Sequence, residues 1–173
     1  MLKVKFKKLH PSARLMDCAK FGDAGHDIGF VNESQKGELS GSIDEYGNLC
    51  YYTGISIEMP EINLPFMRMQ CFAFLKSSFS KKSLTLTNGV GLIDFGYRGE
   101  ITFKLKPAFS FEDIADFTEI SFISTRKKFL EGEFIGQLVF IPVFDIELEE
   151  VIVLSESERG VMGFGEATNE RVL

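Results

Sequence analysis

Residues Asn88 to Ile101 read NGVGLIDFGYRGEI, and this stretch decides how the rest of the chain is read. Strand-forming residues flank it on both sides: Leu84, Leu86 and Val90 before, Ile101, Phe103 and Leu105 after. Asn88-Gly89 supplies turn chemistry near its start, and Gly96 stands just past the carboxylate of Asp94. The pattern predicts a β-hairpin whose mouth holds a small flat ligand against backbone, with Asp94 as a general base at its rim. An aspartate in a loop can equally bond its own backbone as a turn residue. Tyr97 reads either as a stacking platform or as a core aromatic, and Asn88 as a base-reading amide or as the residue that precedes a turn glycine.

Working outward, the chain has 173 residues, enough for one domain with a sizeable core. Eighteen Phe, sixteen Gly and no Trp, arranged as short apolar runs broken by turn residues, favour an all-β sandwich or barrel over a helical bundle. The formal charge of −6 argues against nonspecific nucleic-acid binding, which needs a basic face to displace counterions. Three cysteines, Cys18, Cys50 and Cys71, follow no paired spacing, and only two His are present, so a Cys/His zinc site is not expected. The odd count suits a reducing, cytoplasmic setting. No apolar run has the length of a membrane span, so no membrane partner is expected.

Alternation at Lys3–Lys7 predicts an edge strand with lysines in solvent. Polar, Gly/Ser-rich residues 33–50 predict an exposed hairpin or loop. Strands are expected at Tyr51–Pro60, with a glycine at its centre, at Leu64–Phe74, at Gln137–Val143 and at Glu150–Leu154. Lys76–Lys82 is too polar for a core strand and predicts a short helical turn or loop. Phe111, Ile114, Ala115 and Phe117 have helical spacing, which predicts one short amphipathic helix within 108–131. The glycine-rich, charged end from Ser155 has the composition of a flexible tail. No domain boundary is evident: the reading is one β-barrel domain over 1–154 and an arm over 155–173.

The opening stretch also resembles the third motif of the trimeric dUTPases, N-x-x-G-x-I-D-x-x-Y-R-G-E, with Asn88, Gly91, Ile93, Asp94, Tyr97, Arg98, Gly99 and Glu100 filling it without a gap. Four more motifs follow the family's order. Ala24-Gly25-His26-Asp27-Ile28 resembles the first and Lys76-Ser77-Ser78 the second; Gly132 through Gln137 resembles the fourth, and Arg159-Gly160-Val161-Met162-Gly163-Phe164-Gly165 the fifth. Each pattern is weak alone, but the ordered set is highly specific.

That resemblance implies a distorted jelly-roll subunit, assembled as a homotrimer, that hydrolyses dUTP to dUMP and pyrophosphate with Mg²⁺. It implies Asp94 as the residue that activates water, and Tyr97 as the ring beneath the sugar that leaves no space for a 2′-hydroxyl. Asn88, with backbone at Gly91, Leu92, Ile93 and Thr102, would read the uracil edge. Lys76, Ser77, Ser78 and Gln137 would meet phosphate; the family usually carries Arg at Lys76, and lysine lacks the planar bidentate fork. Asp27 would hold Mg²⁺ through water or position neighbouring groups. In the arm, Phe164 would stack on uracil and Arg159 would bond the γ-phosphate, with Gly165 letting backbone approach it. Glu166 departs from the family by placing negative charge where a phosphate donor is usual.

Two other readings are compatible with the same residues. A dCTP deaminase, built on the same fold, needs a carboxylate on the strand after the aspartate; aligning on Ile93-Asp94 puts Lys104 there instead. Some phage dUTPases carry an extra segment between the third and fourth motifs through which they bind repressor proteins. Residues 108–131 are long and acidic enough to serve that way, or else pack on their own barrel.

Overall fold

The computed structural model describes residues 2–16, 18, 20, 22–107 and 132–161. The segment 108–131, with its expected helix, and residues 162–173, with Phe164 and Gly165, lie outside the described residues.

Ten strands form the described chain: β1 Lys5–Lys8, β2 His26–Gly29, β3 Ser42–Ile43, β4 Leu49–Tyr52, β5 Ile55–Glu58, β6 Met67–Leu75, β7 Leu84–Leu86, β8 Gly91–Ile93, β9 Thr102–Pro107 and β10 Phe134–Phe144. A 3₁₀ turn spans Ser77–Lys82. Two four-stranded sheets, ordered β2-β10-β6-β8 and β3-β4-β9-β7, enclose the core, and β1 pairs with β5 beside them. Every pairing is antiparallel, and the sheets stay open, giving the all-β, jelly-roll-like architecture expected. Inward side chains alternate along β9, where Phe103 and Leu105 are buried and Lys104 and Lys106 face solvent. Phe79 anchors the 3₁₀ turn in the core, which explains why so polar a segment is held there. Among the described residues no helix is long and apolar enough to cross a membrane.

Three strand expectations need correction. The strand read over Tyr51–Pro60 is two strands, because the chain turns at Gly54 (φ +63°) from one sheet into the β1–β5 ladder. A Cβ at Gly54 would lie 2.9 Å from His10 Cβ and 3.0 Å from Ala13 Cβ, so the crossing requires glycine. The expected hairpin is only half one: β7 and β9 do pair, Leu86 opposite Leu105, but β8 between them crosses to the other sheet and pairs with β6. Gly91 permits that crossing, since a Cβ there would stand 3.2 Å from Ala73 Cβ. Finally, Glu150–Leu154 forms no strand. Its apolar residues run consecutively instead of alternating and find no strand partner in the described chain, leaving Val153 80% and Leu154 82% exposed.

Candidate active site

Because β8 leaves for the opposite sheet, the β9 residues before Lys104 have no neighbour on the β7 side and a cleft of about 490 Å³ opens beside them. Asn88, Gly91, Leu92, Ile93, Asp94, Tyr97 and Thr102 all line it, so seven of the residues singled out in the sequence share one site. The volume suits a small ligand. Its walls are fixed by local hydrogen bonds. Thr87 donates from both N and Oγ1 to the Lys104 carbonyl (3.0 and 3.1 Å), and Gly89, at φ +69°, turns the chain with its N–H on the Leu86 carbonyl (3.0 Å). Gln70, buried in β6, donates through Nε2 to the Ile93 carbonyl and so pins the residue before Asp94.

Asp94 opens a turn in which the Tyr97 N–H donates to its carbonyl at 2.9 Å. Its carboxylate is exposed at the cleft and, among the described residues, receives no side-chain hydrogen bond. Tyr97 is half-exposed and donates its hydroxyl to the Glu100 carbonyl (3.0 Å). The ring lies directly over Gly99, where a Cβ would stand 2.4 Å from Tyr97 Oη and 2.5 Å from Cζ.

A second cluster gathers Asp27, Lys76 and Gln137. Asp27 on β2 and Gln137 on β10 are register partners, while Lys76 follows the end of β6. Lys76 Nζ lies 2.5 Å from Asp27 Oδ2, and Gln137 Nε2 donates to Asp27 Oδ1 at 2.9 Å. Burial alone would raise the Asp27 carboxyl, but the hydrogen bonds from Lys76 and Gln137 and the Lys76 charge outweigh it, holding the group below its ordinary value. Lys76 also stands over the Phe134 ring, 5.2 Å from its centroid. Ser77 and Ser78 are exposed at the start of the 3₁₀ turn. Phe74 pairs with Gln137 while its neighbour Ala73 pairs with Gly91, so cluster and cleft sit two strand spacings apart in one sheet, roughly 10 Å. Arg159 lies in the exposed turn Ser157–Gly160 and is not among the residues that line the cleft.

The donor set bears on a metal ion. Both Asp27 oxygens already accept from Lys76 and Gln137, and no group of three or more His, Cys, Asp or Glu is placed to hold an ion among the described residues. Asp27 is thus engaged through one oxygen by Lys76 and through the other by Gln137. The cysteines offer no nucleophile in the cleft, and burial pushes the Cys71 thiol up to about 12. Lys104, at the position where a deaminase carboxylate would fall, donates Nζ to Asp44 Oδ2 (2.9 Å), which holds it as an ammonium. Sequence reasoning passed over Thr87, Gln70 and Ala73, whose roles arise from strand register and carry no motif signal.

Comparison with known proteins gives the same direction. The chain is 34% identical to the deoxyuridine 5′-triphosphate nucleotidohydrolase of Clostridium acetobutylicum, over 95% of its own length and 96% of the relative's. It is 33% identical to that of Clostridioides difficile, over 95% and 97%. Among solved structures, a variant of the Staphylococcus bacteriophage 80alpha dUTPase with dUpNHpp superposes with TM-score 0.66 at 22% identity, covering 95% of this chain and 98% of that one. A variant dUTPase from phage phi11 of S. aureus, described with a structural Mg(II) ion, gives TM-score 0.59 at 17% identity, over 89% and 99%. No family model matches the chain.

Proposed function

Since the chain belongs to the deoxyuridine 5′-triphosphate nucleotidohydrolase family, we propose that it hydrolyses dUTP to dUMP and pyrophosphate, with the cleft beside β9 as its nucleoside-binding part. The observation that carries this reading is the meeting of Asp94, Tyr97, Asn88 and the open β9 backbone at Thr102 in one cleft of nucleoside size. Asp94 is the general base that takes a proton from the attacking water as its oxygen bonds to the α-phosphorus and pyrophosphate departs. Tyr97 floors the sugar, and Asn88 with the backbone of Gly91, Leu92, Ile93 and Thr102 reads the uracil edge.

Lys76, Ser77, Ser78 and Gln137 are assigned to the phosphates, with Arg159, Phe164 and Gly165 of the arm closing over the nucleotide. Mg²⁺ is assigned to the substrate's phosphate oxygens, which suits an ion that keeps much of its water shell and a chain whose described carboxylates form no cage. A homotrimer fits the exposed apolar side chains of Ile146, Leu148, Ile152, Val153 and Leu154, more than an isolated subunit usually leaves in water. Three free cysteines fit a cytoplasmic setting. The lysine at position 104, committed to Asp44, speaks against deamination.

A regulatory role beside catalysis has one support: of the 80alpha relative it is said that phage dUTPases control transfer of virulence genes by a proto-oncogenic G protein-like mechanism. In this chain that reading would fall to a repressor-type partner of residues 108–131.

The test is pyrophosphate release from dUTP, dTTP, dCTP and UTP, with and without Mg²⁺. Selective turnover of dUTP is expected; equal turnover of all four would defeat the proposal.

A further inference from the structure

We infer that Glu100 is a positioning residue for sugar selection: its carboxylate clamps the Tyr97 turn to the kink at Gly54, and so holds the tyrosine ring where it excludes a 2′-hydroxyl. This rests on the reading of the cleft as a deoxyribonucleotide site.

The clamp is built from both ends of Glu100. Its side chain is half-buried and accepts from the Gly54 N–H at Oε1 (2.7 Å), with the Gln35 N–H 3.4 Å from Oε2. Its main-chain carbonyl is the acceptor for the Tyr97 hydroxyl. One residue on, the Ile101 N–H donates to the Ile55 carbonyl (2.8 Å), and buried Thr53 donates Oγ1 to the Ile101 carbonyl (2.7 Å). The kink on the other side is itself braced: Gly54 is packed against His10, Ala13 and Val31, and its carbonyl accepts from the Leu9 N–H at 2.7 Å. Tyr97 therefore hangs, through one hydrogen bond, from a carbonyl held by two ties: the Ile101 N–H of its own peptide unit, bonded to Ile55, and the Glu100 carboxylate, bonded to Gly54.

Nothing else described holds the ring so directly. Tyr97 is 45% exposed, so core packing does not fix it. Arg98, its neighbour, bonds only the Phe95 and Tyr97 carbonyls of its own turn (2.8 and 3.0 Å). A ring that must reject one hydroxyl needs placement to within a fraction of that hydroxyl's size. A half-exposed tyrosine takes such placement from the backbone beneath it, and here the Glu100 carboxylate adds a tie to that backbone beside the bonds of Ile101.

The experiment compares kcat/KM for dUTP and UTP in the wild-type chain, Glu100→Ala and Glu100→Gln, with Leu49→Ala, a buried β4 position paired with Leu105, as a destabilised control. Glu100→Ala should lower the dUTP:UTP ratio roughly tenfold, chiefly through better use of UTP. Glu100→Gln keeps an oxygen for the Gly54 N–H and should restore most of the ratio. Leu49→Ala should lower the melting midpoint and leave the ratio alone. An unchanged ratio in Glu100→Ala, or a ratio that falls equally in Leu49→Ala, would overturn the inference. A wild-type chain with no preference for dUTP over UTP would instead overturn the reading of the site on which it rests.

Discussion

Replacing Gly99 by alanine is the sharpest way to separate what the cleft does from what holds the fold together. The added Cβ would stand 2.4 Å from Tyr97 Oη, 2.5 Å from Cζ and 2.9 Å from Cε2. Ordinary carbon contacts lie near 3.5–4.0 Å, so the ring must withdraw by about 1 Å. It can do so cheaply, because it is half-exposed and no core side chain pins it. The stability cost is then one surface hydrogen bond, Tyr97 Oη to the Glu100 carbonyl, about 1 kcal/mol. In a domain of this size that lowers the melting midpoint by about 2–4 °C. The functional cost is larger. If the ring excludes a 2′-hydroxyl, moving it by a comparable distance should reduce the dUTP:UTP ratio of kcat/KM by roughly 10- to 100-fold. Steady-state pyrophosphate release on both nucleotides, beside a thermal melt, reads both effects. Adding Tyr97→Ala to Gly99→Ala should lower the ratio no further, since both changes remove the same wall. A ratio unchanged within twofold, or a midpoint lower by more than about 10 °C, would refute the reasoning.

Gly136→Ala should behave in the opposite way: its Cβ would meet Phe103 Cζ at 2.4 Å and the Phe74 carbonyl at 2.6 Å inside the core, costing about 3 kcal/mol or more and appearing as a large drop in melting midpoint. Asp27→Asn probes the Lys76 pair. Because the folded carboxyl lies below its ordinary 3.8, its contribution is complete at neutral pH and disappears as pH falls through that lowered value. The variant should therefore be about 1 kcal/mol less stable near pH 7 and indistinguishable from wild type in strong acid, as read by denaturant titrations at several pH values. Chelating divalent ions with EDTA should raise KM for dUTP while leaving the melting midpoint of the nucleotide-free protein unchanged, because no carboxylate cluster among the described residues holds a resident ion.

How much of this was legible in the sequence depends on how local each requirement is. Asp94, Tyr97 and Glu100 stand within seven consecutive residues whose geometry needs glycine at Gly99, under the Tyr97 ring, so their chemistry leaves a contiguous mark. The 3₁₀ turn was legible for the same reason, since Lys76–Lys82 breaks both strand and core patterns. The detour of β8 was not, because three residues of strand carry too little periodicity to say which sheet they join. The choice is met by Gly91 fitting against Ala73 on β6, which the 3₁₀ turn and β7 separate from β8 in the chain. Asp27 and Lys76 were each singled out, yet their pairing across 49 residues follows from the register of β2, β10 and β6 and has no local signal. Glu150–Leu154 has strand-forming residues, but a strand also needs an edge to join, and the described chain supplies none.

The central claim is that Asp94 activates the attacking water, and one comparison tests it most directly: single-turnover release of pyrophosphate from dUTP by the wild-type chain and by Asp94→Asn, with nucleotide binding measured on both. The side chain is exposed and bears no hydrogen bond from another described side chain, so the substitution leaves the fold intact. The account expects dUTP binding within a few-fold of wild type and a chemical step slower by about 10²–10⁴-fold. An Asp94→Asn chain that still releases pyrophosphate at the wild-type rate would contradict it.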